Sequence, residues 1–258
     1  MGYLDRHFAV EEERLTIGGI PCIRLIPKGL ETSYRTIIFY HGLDSSKDRQ
    51  RIRGHILAGF GYQVLLPDAV HHGERDRKET EDPEKIGRYF WQAILTSLRE
   101  SDSLVDKILG DLNSNGEIYV TGHSMGGFTA AGVATHNDRI RGAIPMNGSF
   151  NWKRSSQILM EDMGLAADYD FPEREEMEAL DPIKHIERLE GKRILMLNGE
   201  IDPEVSILPQ KEFYNIARHV LDSRLDFIEY EGLGHFVTTN MLEDLLNYLE
   251  AGEVVDHD

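Results

Sequence analysis

Ser124 sits in Gly122-His123-Ser124-Met125-Gly126-Gly127, directly after an apolar run that ends at Thr121 and directly before the small-residue stretch Phe128-Thr129-Ala130-Ala131-Gly132-Val133-Ala134. A hydroxyl nucleophile on a sharp strand-to-helix turn is held in strained backbone dihedrals, and glycine two residues to either side removes the side chains that would collide there. The same turn sets the hydroxyl at a helix N-terminus, whose free N–H groups favour developing negative charge. The plain alternative makes Ser124 a helix N-cap and the glycines ordinary turn residues. The five-residue pattern is weak evidence alone, and its weight comes from what surrounds it.

Acyl transfer by a serine needs two backbone donors for the oxyanion, a base and an orienting acid. One donor comes from the residue after the nucleophile and the other from a loop after an earlier strand, which points to the N–H groups of Met125 and of Leu43 in Tyr40-His41-Gly42-Leu43-Asp44. Among eleven histidines, His235 in Gly232-Leu233-Gly234-His235 follows the apolar run 225–230 in a glycine-flexible loop, where an imidazole can reach back over the strand ends. Asp202, in Asn198-Gly199-Glu200-Ile201-Asp202-Pro203, follows the run 194–197 in the same way. Glu200 is the rival acid; Asp170, Asp181 and Asp222 fit worse, the first two in an insertion and the last at a helix end. The chain order Ser124, Asp202, His235 is the one that accompanies a nucleophile turn of this kind. A Gly-His loop and an Asp-Pro turn each occur without chemistry in many proteins, but three such roles at three strand ends in this order are hard to reach by accident.

The elements that would position these residues alternate short apolar runs with amphipathic stretches, the pattern of a mostly parallel sheet covered by helices. Residues 8–27 read as an antiparallel hairpin around Gly18-Gly19, with Pro21 setting the second strand at or near a sheet edge. Buried runs follow at 36–40, 63–66, 118–121, 143–146, 194–197 and 225–228, with helices expected at about 47–60, 82–110, 124–136, 206–222 and 237–250. The last helix carries Met241, Leu242, Leu245, Leu246 and Leu249 on one face. The expectation is one α/β domain over residues 1–258, with an eight-stranded sheet, helices on both faces, and residues 148–190 as a short helical cap insertion. From that cap Phe150 and Trp152 are expected to line an acyl pocket. His123 joins them at the pocket wall, as does His41 unless it ties down its loop as a hydrogen-bonded structural histidine. Phe90 and Trp91 read as helix core.

Composition excludes several classes. With 28 Lys and Arg against 45 Asp and Glu, the net charge of −17 repels nucleic acid and anionic lipid surfaces. No window approaches eighteen uncharged apolar residues, so no membrane span is expected. Cys22, the lone cysteine, offers no internal disulfide and no cysteine metal site, and the opening Met1 to His7 has no apolar run, which together favour a cytoplasmic protein. His71-His72 with Glu74 and Asp76 lacks a ligand at helical spacing and reads as pocket wall rather than a metal site, with Asp68 bonding nearby backbone N–H groups.

His41-Gly42-Leu43, Pro67-Asp68 followed by His72-Gly73, Gly122 to Gly127, Gly199 to Asp202 with Val205, and Gly234-His235 together resemble the α/β-hydrolase superfamily, over nearly the whole chain. The look is similar to small bacterial esterases of the prolyl-oligopeptidase-like and dienelactone-hydrolase-like branch. That resemblance implies Ser124 as nucleophile, Asp202 as orienting acid and His235 as base. Dienelactone hydrolases proper carry cysteine where this chain has Ser124, and oligopeptidases carry an N-terminal propeller where it has a hairpin. The expectation is a serine carboxylesterase acting on small, uncharged or weakly polar esters without a cofactor, with no nucleic-acid or membrane partner. Its activity should fall as pH drops through the imidazole range. An aminopeptidase or amidase of the same branch, and a silent binding protein on the same fold, are the alternatives.

Overall fold

The computed structural model describes residues 7–30, 33–78, 82–166, 168, 170–221 and 224–251; Asp222 and residues 1–6, used above, lie outside them. Eight strands form one sheet in the order β1-β2-β4-β3-β5-β6-β7-β8. They run β1 Val10–Ile17, β2 Ile20–Pro27, β3 Tyr34–Tyr40, β4 Gln63–Pro67, β5 Ser114–His123, β6 Gly142–Met146, β7 Arg193–Gly199 and β8 Leu225–Tyr230. The β1/β2 and β2/β4 pairs are antiparallel and every other pair is parallel. Gly18 and Gly19 turn the β1–β2 hairpin at positive φ of 57° and 85°, a region glycine enters without strain.

Period-two alternation explains how the sheet buries both faces. Ile38, Val120 and Met196 point into one apolar cluster, and Phe39, Tyr119 and Leu197 into the other. The first cluster is closed by α2 (Pro83–Asp111), α3 (Met125–His136) and α6 (Leu208–Leu221), which bring Val105, Ala130 and Phe213. The second is closed by α1 (Lys47–Gly59) and α7 (Thr239–Ala251), which bring Leu57 and the Met241, Leu242, Leu245, Leu246, Leu249 stripe. Helices therefore cover both faces, as the alternation implies.

The 148–190 interval holds α4 (Trp152–Asp162), α5 (Arg174–Ala179) and 3-10 turns at Pro182–Lys184 and Ile186–Leu189. Its anchor is polar. Buried Asp181 accepts from the Trp152 and Lys153 N–H groups at 2.9 and 2.8 Å, satisfying the α4 N-terminus. Trp152 then fits over Gly132 of α3, where an added Cβ would stand 2.5 Å from the indole.

Candidate active site

At the β5–α3 junction Ser124 has φ 58° and ψ −124°, a strained conformation for a residue with a side chain. Its hydroxyl makes no capping bond to α3, so the hydrogen-bonding capacity of Oγ is not spent on the helix. Each flanking glycine is required by a close approach. A Cβ at Gly122 would lie 2.3 Å from the Gly126 oxygen, and one at Gly126 would lie 2.1 Å from the Tyr40 oxygen. The turn is thus pressed against the end of β3. Gly42 continues that contact, since its ideal Cβ position is 3.4 Å from Ser124 Cβ. Among the described residues neither the Leu43 nor the Met125 N–H donates to a backbone acceptor, which leaves both of the expected oxyanion donors uncommitted.

The Leu43 loop is held from behind. His41 Nδ1–H donates to the Gly42 oxygen at 2.8 Å, and its Nε2 accepts from the Ala69 N–H at 3.0 Å. Burial lowers the His41 pKa and keeps the ring neutral, the state both bonds need. Asp68 anchors the adjoining loop, accepting from the Lys47 and Glu74 N–H groups at 2.9 and 3.0 Å and from Lys47 Nζ at 2.6 Å. His41 is therefore a structural histidine and no part of the cavity wall.

His235 Nδ1–H donates to Asp202 Oδ2 at 2.7 Å, with both side chains buried. Asp202 Oδ1 accepts from the Glu204 and Val205 N–H groups, each at 2.9 Å. Burial acts to raise the Asp202 pKa, but the bond from His235 and the two backbone bonds outweigh it and hold the carboxyl below its ordinary range. With Nδ1 committed as donor, His235 Nε2 carries the lone pair, 3.6 Å from the exposed Glu204 carboxylate. His123 lies against the His235 ring, centroids 4.5 Å apart. Burial, then the nearby His235 and Arg53, pushes its pKa down to about 3, so it stays neutral.

Ser124, His235, Leu43 and His123 all line one cavity of about 520 Å³. Its apolar wall comes from Ile86, Phe90 and Trp91 of α2, Phe128 of α3, and Ile158, Leu159 and Met163 at α4. Residues of α4 thus line this cavity, but the aromatic residues expected from the insertion do not. Phe150 stacks on Phe213 at 4.6 Å inside the sheet core, and Trp152 packs behind Trp91 at 5.6 Å. Both are corrections to the expected acyl pocket, because Phe150 is spent against Phe213 of α6 and Trp152 between Gly132 of α3 and Trp91 of α2. Phe90 and Trp91, read as plain core, are buried and also face the cavity.

Asn147 escaped the sequence reading. At a φ of 47° it accepts from the Gly199 N–H at 2.9 Å and donates to the Phe236 oxygen at 3.1 Å, tying the β7 end to the residue after His235. Asn-Gly after a buried strand was the available signal. Glu200, the rival acid, instead accepts from the Gly232 N–H at 2.9 Å. His71 and His72 bond Gln92 and the Val70 oxygen, and among the described residues no group of three or more His, Cys, Asp or Glu could hold a metal ion.

A parallel sheet that sets a strained serine turn and an Asp–His pair at its strand ends is the arrangement of an α/β-hydrolase. The chain belongs to the prolyl-oligopeptidase-like branch of that superfamily: the profile of the prolyl oligopeptidase family matches residues 109–250, and that of the serine aminopeptidase S33 family matches residues 32–168. It is similar to "Putative esterase YitV" of Bacillus subtilis (strain 168), 29% identical over 94% of this chain and 99% of the other. It is also similar to "Esterase YjfP" of Escherichia coli (strain K12), 25% identical over 93% and 98%. Among solved structures, TT1662 from Thermus thermophilus superposes with a TM-score of 0.76 at 25% identity, over 94% of this chain and 98% of that one. These likenesses make the chain a hydrolase. Among the described residues no helix is long and apolar enough to cross a membrane.

Proposed function

We propose that the protein is a serine carboxylesterase that cleaves small carboxylic esters through an acyl-enzyme on Ser124. The observation that carries this reading is the 2.7 Å bond from His235 to Asp202, whose second oxygen is bound by two backbone N–H groups, in the cavity that Ser124 lines. In this mechanism His235 Nε2 takes the Ser124 proton as Oγ attacks the ester carbonyl, and Asp202 holds the tautomer and steadies the imidazolium. The Leu43 and Met125 N–H groups receive the oxyanion. The imidazolium then protonates the departing alcohol, and water repeats the sequence on the acyl-enzyme. The esterase names of the two relatives support ester over peptide cleavage. No step calls for a cofactor, and we assign residues 148–190 the role of a cap within a single-domain enzyme.

The test is hydrolysis of 4-nitrophenyl esters of increasing acyl length beside Ser124→Ala at equal concentration. Turnover that disappears in the variant supports the reading, and the length optimum sizes the acyl pocket. Turnover that persists in the variant contradicts it. The serine aminopeptidase match favours a second reading, in which peptide anilides are cleaved at rates comparable to esters. The free, buried thiol of Cys22 is in keeping with a cytoplasmic enzyme, which cell fractionation would test.

A further inference from the structure

The cavity contains a cation that the mechanism does not use. Arg49, Gln50 and Arg53 of α1 line it together with Ser124 and His235. In so acidic a chain, half-buried arginines elsewhere have acceptors for their guanidinium: Arg24 meets Glu13 at 3.2 Å, Arg75 meets Glu100 at 2.5 Å, and Arg193, without a carboxylate, donates to the Tyr248 and Leu249 oxygens. Arg53 is half-buried and has none among the described residues. Its Nη1 donates to Gln50 Oε1 at 2.7 Å, and nothing described accepts from Nε or Nη2. Burial lowers its pKa with no opposing charge to compensate. The carboxylates on the same wall, Asp44, Asp162 and Glu204, are exposed, and none pairs with Arg53. Arg49 is exposed and adds positive charge one helical turn away.

A guanidinium taken partly out of water without a counter-charge is costly, and groups of this kind concentrate at functional sites. The two donors left over, Nε and Nη2, form the edge that grips a carboxylate with two parallel bonds. We propose that Arg53 determines specificity at this site, and that the preferred substrate is an ester carrying a second, free carboxylate remote from the scissile carbonyl. The proposal rests on the reading of Ser124 as nucleophile. It replaces the expectation of an uncharged substrate. The overall charge of −17 opposes an anion only weakly, because salt screens it beyond about 8–10 Å, whereas Arg53 acts at contact.

The experiment compares 4-nitrophenyl hexanoate, heptanoate and octanoate with the mono(4-nitrophenyl) esters of adipic, pimelic and suberic acid, where a terminal methyl becomes a carboxylate. The expected result is that at least one hemiester exceeds its neutral match in kcat/KM by about tenfold or more, and that this ratio falls about tenfold in Arg53→Gln and less in Arg53→Lys. The ratio is the readout because any loss common to both substrates cancels. No preference for a hemiester, or a ratio unchanged in Arg53→Gln, overturns the proposal. Should Arg53→Gln fail to fold, inhibition of hexanoate ester turnover in the unaltered protein decides: adipate should inhibit well below the concentration at which adipamide does, and equal inhibition or none by adipate overturns the proposal. A fluorophosphonate separates the two layers. Labelling at Ser124 without hemiester preference removes the role of Arg53 alone, whereas no labelling and no turnover of either series removes the serine reading and this proposal with it.

Discussion

Replacing Asp202 by Asn keeps the size and changes one atom, and the hydrogen bonds around it dictate the outcome. Oδ1 accepts from two backbone N–H groups at 2.9 Å, so the amide oxygen of Asn must take that position. The amide NH2 then faces His235 Nδ1, where the carboxylate now accepts at 2.7 Å. Two donors cannot share that contact. Nδ1 gives up its proton, the proton moves to Nε2, and the imidazole can no longer take one from Ser124. Removing the orienting charge in this way costs roughly 10³–10⁴ in kcat, or about 4–5.5 kcal/mol of barrier. The assay is steady-state hydrolysis of a 4-nitrophenyl ester by Asp202→Asn, beside the thermal midpoint of the same preparation. A folded variant keeping more than a tenth of the parent kcat would refute the assigned roles of Asp202 and His235.

Gly126→Ala would press a Cβ to 2.1 Å from the Tyr40 oxygen, and since both partners are backbone the cost should reach about 3 kcal/mol, roughly 6–12 °C in Tm; a shift under 2 °C, read by calorimetry, would count against the close approach. Asp181→Ala leaves the Trp152 and Lys153 N–H groups unpaired at the start of α4, costing about 2–4 kcal/mol and raising KM for esters more than it lowers kcat. An unchanged KM would separate α4 from the binding site. Acid should destabilise the fold through its buried and half-buried histidines. His41, His72, His123 and His136 are all lowered by burial, so below about pH 6.5 the unfolded chain binds protons that the native state does not, and stability falls with pH. For His123, whose folded value is about 3, the loss is about 2 kcal/mol at pH 5. His123→Gln should flatten the decline of denaturant midpoint between pH 7 and 5, and an equally steep decline would rule that contribution out.

Most strands were legible as short apolar runs and the β1–β2 hairpin through its Gly18-Gly19 turn, while α2, α6 and α7 carry 3.6-residue stripes and α3 an unbroken stretch of small and apolar residues buried on every side. Ser124, Asp202 and His235 were legible for a related reason: each is punctuated by glycine or proline directly after an apolar run, where the chain must turn. What escaped was how surfaces meet. Nothing local to Phe150 or Trp152 says that one will stack on Phe213 and the other slide over Gly132, and these pairings withdrew both rings from the cavity. Trp91 is core by pattern and cavity wall by position, because one edge of a fully buried ring can face a void. Arg53 sits in a helix whose sequence is largely polar, so its half-buried, unpaired state depends on α1 packing beside the serine turn and could not be read from spacing.

The assignment of Ser124 as nucleophile is tested by intact-mass and peptide-mass measurement after treatment with a fluorophosphonate. One adduct is expected, mapped to the peptide containing Ser124, absent in Ser124→Ala and formed much more slowly in Asp202→Asn. An unlabelled Ser124 in a preparation that still turns over esters would contradict the assignment.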